Sequence, residues 1–152
     1  GPSESTVGID RKAGYLKALT EAGMDADEAL ITEGDFTEAG GYRAMQRLLP
    51  ARPDAVFVAS DIMAIGAIRA AREGGLRVPE DVAFVGFDDL PFATLADIQL
   101  TTVHQPVEGF GAKGVELLLD LIEHGTDPPR HVILGTELVV RDSCGAKLKG
   151  RA

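Results

Sequence analysis

Ala55–Val56–Phe57–Val58–Ala59 and Val82–Ala83–Phe84–Val85–Gly86–Phe87 are unbroken runs of apolar, strand-favouring residues. A strand with one wet face alternates polar and apolar side chains. A continuous run fits a parallel strand covered on both faces. Between the two runs lies a helical pattern. Asp61 can cap it, Ala64, Ile65 and Ile68 form its core face, and Gly74–Gly75 stops it. A strand, a helix and a second strand of the same buried kind imply neighbours in a parallel sheet.

The alternation continues in both directions. Upstream, Tyr15, Leu16 and Leu19 make a helical stripe that ends near Gly23, and Ala29–Leu30–Ile31–Thr32 reads as a short buried strand. After a polar turn at Gly34, Tyr42, Met45 and Leu49 share one helical face, with Pro50 and Pro53 bracketing the exit. Downstream, Leu100–Val103 is a short extended piece. Gln105–Pro106 opens a helix carrying Phe110, Leu117, Leu118 and Leu121, which closes at Gly125. Leu138–Val139–Val140 forms a last strand, and a basic tail runs from Lys147 to Arg151. The expected fold is α/β: a doubly wound, mostly parallel sheet with helices on both faces.

Composition narrows the functional classes. The chain has 152 residues, 45% of them hydrophobic and 26% charged, enough for one domain with a sizeable core. Leu117–Leu118–Leu119 is flanked by Glu116 and Asp120, and no segment approaches the roughly 18 apolar residues of a spanning helix. The formal charge of −9, with 15 basic residues scattered among 24 acidic ones, argues against direct gripping of nucleic acid. Cys144 is alone, so neither a disulfide framework nor a thiolate metal site is expected, and a cytoplasmic address fits. His104, His124 and His131 lie on separate elements without metal-ligand spacing. No metal and no cofactor are expected. The chain opens at Gly1–Pro2 without an initiator Met, as a fragment or processed product would.

In open parallel sheets, ligands bind beyond the carboxyl ends of the strands. That rule selects Asp35 and Phe36 after the first strand, Ser60 and Asp61 after the second, and Asp88 and Asp89 after the third. Carboxylates accept hydrogen bonds from vicinal hydroxyls, and an aromatic face packs on the C–H face of a sugar. The edge suits a small polyol or nucleoside. Each residue also has a plain structural role open to it. Asp61 could be only a helix cap, and Asp35 a solvated turn residue. Phe36 could belong to the core, and one of Asp88–Asp89 could cap a turn before Pro91.

Several stretches, in order, resemble the LacI/GalR (lactose-repressor) family of transcription regulators. They are Asp10–Arg11–Lys12–Ala13–Gly14–Tyr15, Gly34–Asp35–Phe36, Arg52–Pro53–Asp54–Ala55–Val56–Phe57 and Ser60–Asp61–Ile62–Met63–Ala64–Ile65–Gly66. Further on come Val78–Pro79–Glu80–Asp81–Val82, Val85–Gly86–Phe87–Asp88–Asp89, Leu100–Thr101–Thr102–Val103–His104–Gln105–Pro106 and Glu137–Leu138–Val139–Val140–Arg141–Asp142–Ser143. The resemblance implies a helix-turn-helix headpiece followed by two α/β lobes like those of periplasmic sugar-binding proteins. Effector binds between the lobes and changes operator affinity. This chain would be the carboxyl-terminal lobe, residues 1–152, reaching operator DNA only through an absent headpiece. The family pattern assigns effector contacts to Arg11, Phe36, Ser60, Asp88 and Gln105, and the strand-end rule adds Asp61 to the candidates.

On the same resemblance, Gly1–Pro2 matches the turn after a strand that is normally central in the sheet. The helix over residues 106–124 would pack on the other lobe. Uncovered, its apolar face forgoes about 1.5–3 kcal/mol per large side chain, so a homodimer, domain-swapped or tightly docked, is expected. Effector affinity of one lobe alone should be weak. Three other readings stay open: a lobe of a transport-linked sugar-binding protein, a pure dimerisation module, and an Mg²⁺ enzyme using Asp61, Asp88 and Asp89. The sequence has neither a phosphate-cradling Gly loop ending in Lys and Ser/Thr nor a Gly-x-Ser-x-Gly elbow, which counts against the enzyme.

Overall fold

The computed structural model describes residues 1–91, 99–125 and 130–146. The basic tail from Lys147 lies outside them. In chain order come α1 (Thr6–Glu21), α2 (Glu38–Leu48), β1 (Ala55–Phe57), α3 (Asp61–Glu73) and β2 (Ala83–Asp88). These are followed by β3 (Thr101–His104), α4 (Val107–His124) and β4 (Glu137–Val139). The four strands form one sheet in the order β1-β2-β3-β4. The β1–β2 and β2–β3 pairs are parallel, and β4 returns antiparallel to β3.

The helix boundaries follow from local chemistry. Ser5 Oγ accepts the Gly8 N–H at the start of α1, and Thr37 Oγ1 accepts that of Gly40 at the start of α2. At the end of α1, Gly23 takes φ 69° and the Met24 N–H bonds back to the Leu19 carbonyl. The end of α3 repeats the device: Gly75 takes φ 84° and the Leu76 N–H reaches the Ala71 carbonyl. Only a residue without a Cβ takes that left-handed turn freely. Pro106 sits one position outside α4, not at the first helical position expected for it.

The core lies between one face of the sheet and α2 with α3. Met45 and Leu48 of α2, Met63, Ala64 and Ala67 of α3, and Val82 and Phe84 beside and on β2 are buried together. The two helices approach closely because they meet through glycines. A Cβ on Gly66 would overlap the Glu38 carbonyl, and one on Gly41 would overlap the backbone of Met63. On the opposite face of the sheet, Phe57 and Val85 stand in register, with Phe87 two residues further along the same side.

Two expectations need correction. Ala29–Thr32 is not a strand: Glu28–Leu30 is a turn of 3₁₀-helix, followed by residues with no strand pairing. A strand needs a hydrogen-bonded neighbour. β1 is the edge of the described sheet, and Arg47 instead binds the Thr32 hydroxyl and the Glu33 carbonyl. The cap of α3 is Ser60, whose Oγ accepts the Met63 N–H; Asp61 is the first helical residue. Helix α4 has no buried residue. Among the described residues no helix is long and apolar enough to cross a membrane.

Candidate functional site

The polar groups converge where the rule for parallel sheets places them, beyond the carboxyl ends of β1, β2 and β3. Arg11 projects from α1 across these ends. Its guanidinium donates to the Ala59 carbonyl, lies 3.4 Å from Asp88 Oδ1, and stacks 3.8 Å from the centroid of the Phe87 ring. Gln105, just past β3, donates from Nε2 to the same Asp88 oxygen at 2.7 Å. Arg11 and Asp88 keep 14% and 21% of their side chains exposed, enough for a small molecule to reach. A groove of about 610 Å³ opens there, with Arg11, Gly14 and Ala18 of α1 on one wall and Phe57, Phe87 and Gln105 on the other.

The electrostatics are tuned by partial burial. Desolvation pushes the Asp88 pKa up, and Arg11 together with the Gln105 amide pulls it back. Desolvation likewise lowers the Arg11 pKa, while Asp88 holds it up. The pair is therefore a charged fork and a carboxylate, largely withdrawn from water and already facing each other. An arrangement of that kind binds a molecule that both donates and accepts hydrogen bonds on adjacent atoms, as a vicinal diol does.

Backbone strain gathers at the same place. Phe36, Asp88 and Asp89 adopt φ of 60°, 121° and 58°, a region unfavourable to residues with a Cβ. Such conformations persist when surrounding bonds fix them. Asp89 receives the Arg141 guanidinium at 2.5 Å and lies 3.0 Å from His104 Nδ1, which ties the turn to β3 and to the segment after β4.

The expected residues divide into two groups. Arg11, Asp88 and Gln105 form one cluster. Phe36 is partly buried and packs against the hydrophobic core, with Gly1 beside its ring. Ser60 and Asp61 do not open on the groove. Ser60 is buried and spent on its cap, and Asp61 is 0% exposed, with its carboxylate bonded to the Thr102 hydroxyl and the Leu90 N–H. Asp35 is the exposed turn residue, bonded to Thr37 and paired with Arg43. Among the described residues no group of His, Cys, Asp and Glu could hold a metal ion. Sequence reasoning passed over Phe87, although its two-residue spacing from Val85 puts it on the groove side. It could not see the Ala59 carbonyl or Arg141, which only the folded chain brings to the site.

The family model for periplasmic-binding-protein-like domains matches residues 1–144. The chain belongs to that family. The domain is 46% identical over 145 residues to the HTH-type transcriptional regulator CelR of Thermobifida fusca, covering 94% of this chain and 43% of that protein. It is 43% identical over 145 residues to the HTH-type transcriptional repressor PurR of Escherichia coli, covering 94% of this chain and 42% of that one. The solved structure of the CelR–cellobiose complex superposes with a TM-score of 0.90, over 94% of this chain and 44% of the other, at 46% identity. The domain thus spans less than half the length of the curated relatives it matches. These homologues are regulators of the LacI type, as the sequence resemblance led one to expect.

Proposed function

We propose that the chain is the carboxyl-terminal, effector-sensing lobe of a LacI-type transcription regulator and that its effector is a small sugar. The observation that carries this reading is the convergence of Arg11, Asp88 and Gln105 beside the Phe87 ring at the strand tips. The guanidinium fork and carboxylate suit adjacent hydroxyls, and the ring suits the C–H face of a pyranose. Likeness to a cellobiose-bound regulator favours a sugar over a nucleoside. In this reading Phe36 borders the effector, and a headpiece elsewhere in the protein binds operator DNA in the cytoplasm. The apolar face of α4 is covered by the second lobe or, in the isolated chain, by a second copy. Kinship with transcription regulators supports reading the chain as a sensor and not an enzyme.

A thermal-shift screen of cellobiose, ribose and adenosine tests the reading. A rise in melting temperature with a sugar, abolished by Arg11→Ala, is the expected result. Charge-assisted hydrogen bonds contribute about 1.5–3 kcal/mol each, so that substitution should weaken binding by roughly 10- to 100-fold. A response to adenosine alone would replace the sugar with a nucleoside. A sugar response that survives Arg11→Ala would move the site elsewhere.

A further inference from the structure

We infer that the buried Asp61 carboxylate is a positioning residue for this site: it holds the Asp88–Leu90 turn so that the Asp88 carboxylate faces Arg11 and Gln105. The effector part of this inference rests on the proposed function; the turn-holding part does not.

Asp61 stands where a first-turn acid of a helix is normally solvated, yet it is 0% exposed, and Ser60 already caps the helix. Its oxygens are directed away from α3, towards β2, β3 and the turn. Oδ1 accepts the Thr102 hydroxyl at 2.6 Å, and Oδ2 accepts the Leu90 N–H at 3.0 Å. Asp61 therefore ties the turn after β2 to β3.

The sheet is shaped to admit it. Gly86 and Thr102 are register partners, and a Cβ on Gly86 would collide with the Asp61 carboxylate and with Leu100. The Leu90 N–H that it holds directly follows the two consecutive residues with positive φ, Asp88 and Asp89. Such a pair persists only where its surroundings fix it. An ionised carboxylate accepts from Thr102 and Leu90 at once; an amide that accepts from one turns its NH2 towards the other. Burying a charge here does not serve the core, which lies around Phe84 and Met45. It serves the geometry of Asp88.

The test uses Asp61→Asn, Thr102→Val as a gentler variant, and Asp88→Asn in combination, with cellobiose as probe. In the ligand-free protein, Asp61→Asn should move the Leu90 and Asp89 amide resonances. It should also move the side-chain N–H resonances of Arg11 and Gln105, while signals from the α2–α3 core stay in place. Cellobiose affinity should fall at least tenfold with Asp88 present and less than twofold in the Asp88→Asn background, since a residue acting through another loses its effect when that other is gone. Thr102→Val should shift the same resonances less, and it carries the test if Asp61→Asn does not fold. Equal losses in both backgrounds, or a lowered melting temperature with unchanged affinity, would overturn the inference. If the unmodified protein ignores cellobiose, the sugar reading fails and the ligand-free spectra decide alone. Unmoved Arg11 and Gln105 signals would then refute the role of Asp61, and moved ones would support it.

Discussion

Helices α3 and α4 are both amphipathic, and they end in opposite surroundings. In α3, Asp61, Met63, Ala64, Gly66, Ala67, Ala70 and Ala71 are buried against α2 and β2. In α4, longer and richer in large apolar residues, none is buried, and Phe110, Leu118 and Ile122 face solvent, the last at 71% exposure. An apolar stripe specifies that a face will be covered; what covers it depends on shape and on which chain is at hand. The partner of α3 lies in this chain and is fitted to it through Gly41 and Gly66. α4 carries small residues too, Gly111 and Gly114, with open space beside them.

The sharpest way to break that contrast is to damage each helix in turn. Gly66→Val should destabilise the fold by about 3 kcal/mol, because the added atoms meet the backbone of α2 and not a movable side chain. Leu118→Asp should leave the unfolding midpoint within about 0.5 kcal/mol while weakening any self-association read by sedimentation velocity. Denaturation curves of the two variants check both statements. If Leu118→Asp is the more damaging, α4 is already packed and the contrast is wrong.

A smaller effect separates the strand tips from the rest of the surface. Burial raises the Asp88 pKa above its ordinary value. Its raised pKa means that protonation, and with it the loss of a charged acceptor, begins at higher pH than for an ordinary Asp. Sugar affinity should therefore decline on acidification before exposed carboxylates titrate, and Asp88→Asn should flatten that decline. Asp61, also raised by burial, protonates in the same direction and adds to it. Calorimetric titrations between pH 7 and pH 4.5 measure the profile.

The smallest effect lies far from the site. Asp81 binds the Arg77 guanidinium and backbone N–H, and these bonds lower its pKa to about 2. A depressed folded-state pKa contributes stability that is complete above the ordinary Asp value, near 4, and is lost as pH falls towards 2. Asp81→Asn should lower the melting temperature slightly at neutral pH, and the difference should shrink as the pH falls through 2.

Much of this was legible in the sequence, and the reasons differ by region. The runs at 55–59 and 82–87 announced β1 and β2, but not their cover: β1 is exposed on the Phe57 side, and β2 alternates buried with half-buried residues. Gly23, Gly75 and Gly125 marked helix ends because positive φ favours glycine. Arg11, Asp88 and Gln105 could be picked from strand ends and family pattern, and the fold brings them within hydrogen-bonding distance. The stretch 29–32 misled because strand propensity says nothing about the presence of a pairing partner. Asp61 misled because a Ser–Asp pair at a helix start offers two candidate caps. Only the approach of Thr102 and Leu90 reveals which residue turns inward.

The most direct measurement is a titration of the protein with cellobiose, followed by the side-chain resonances of Arg11 and Gln105. The account predicts saturable shifts in the Arg11 Nε–H and Gln105 Nε2 signals and in the Asp88 backbone amide, with the α2–α3 core undisturbed. Saturable binding whose shifts fall on α2, α3 or α4 and leave those three groups unmoved would contradict it.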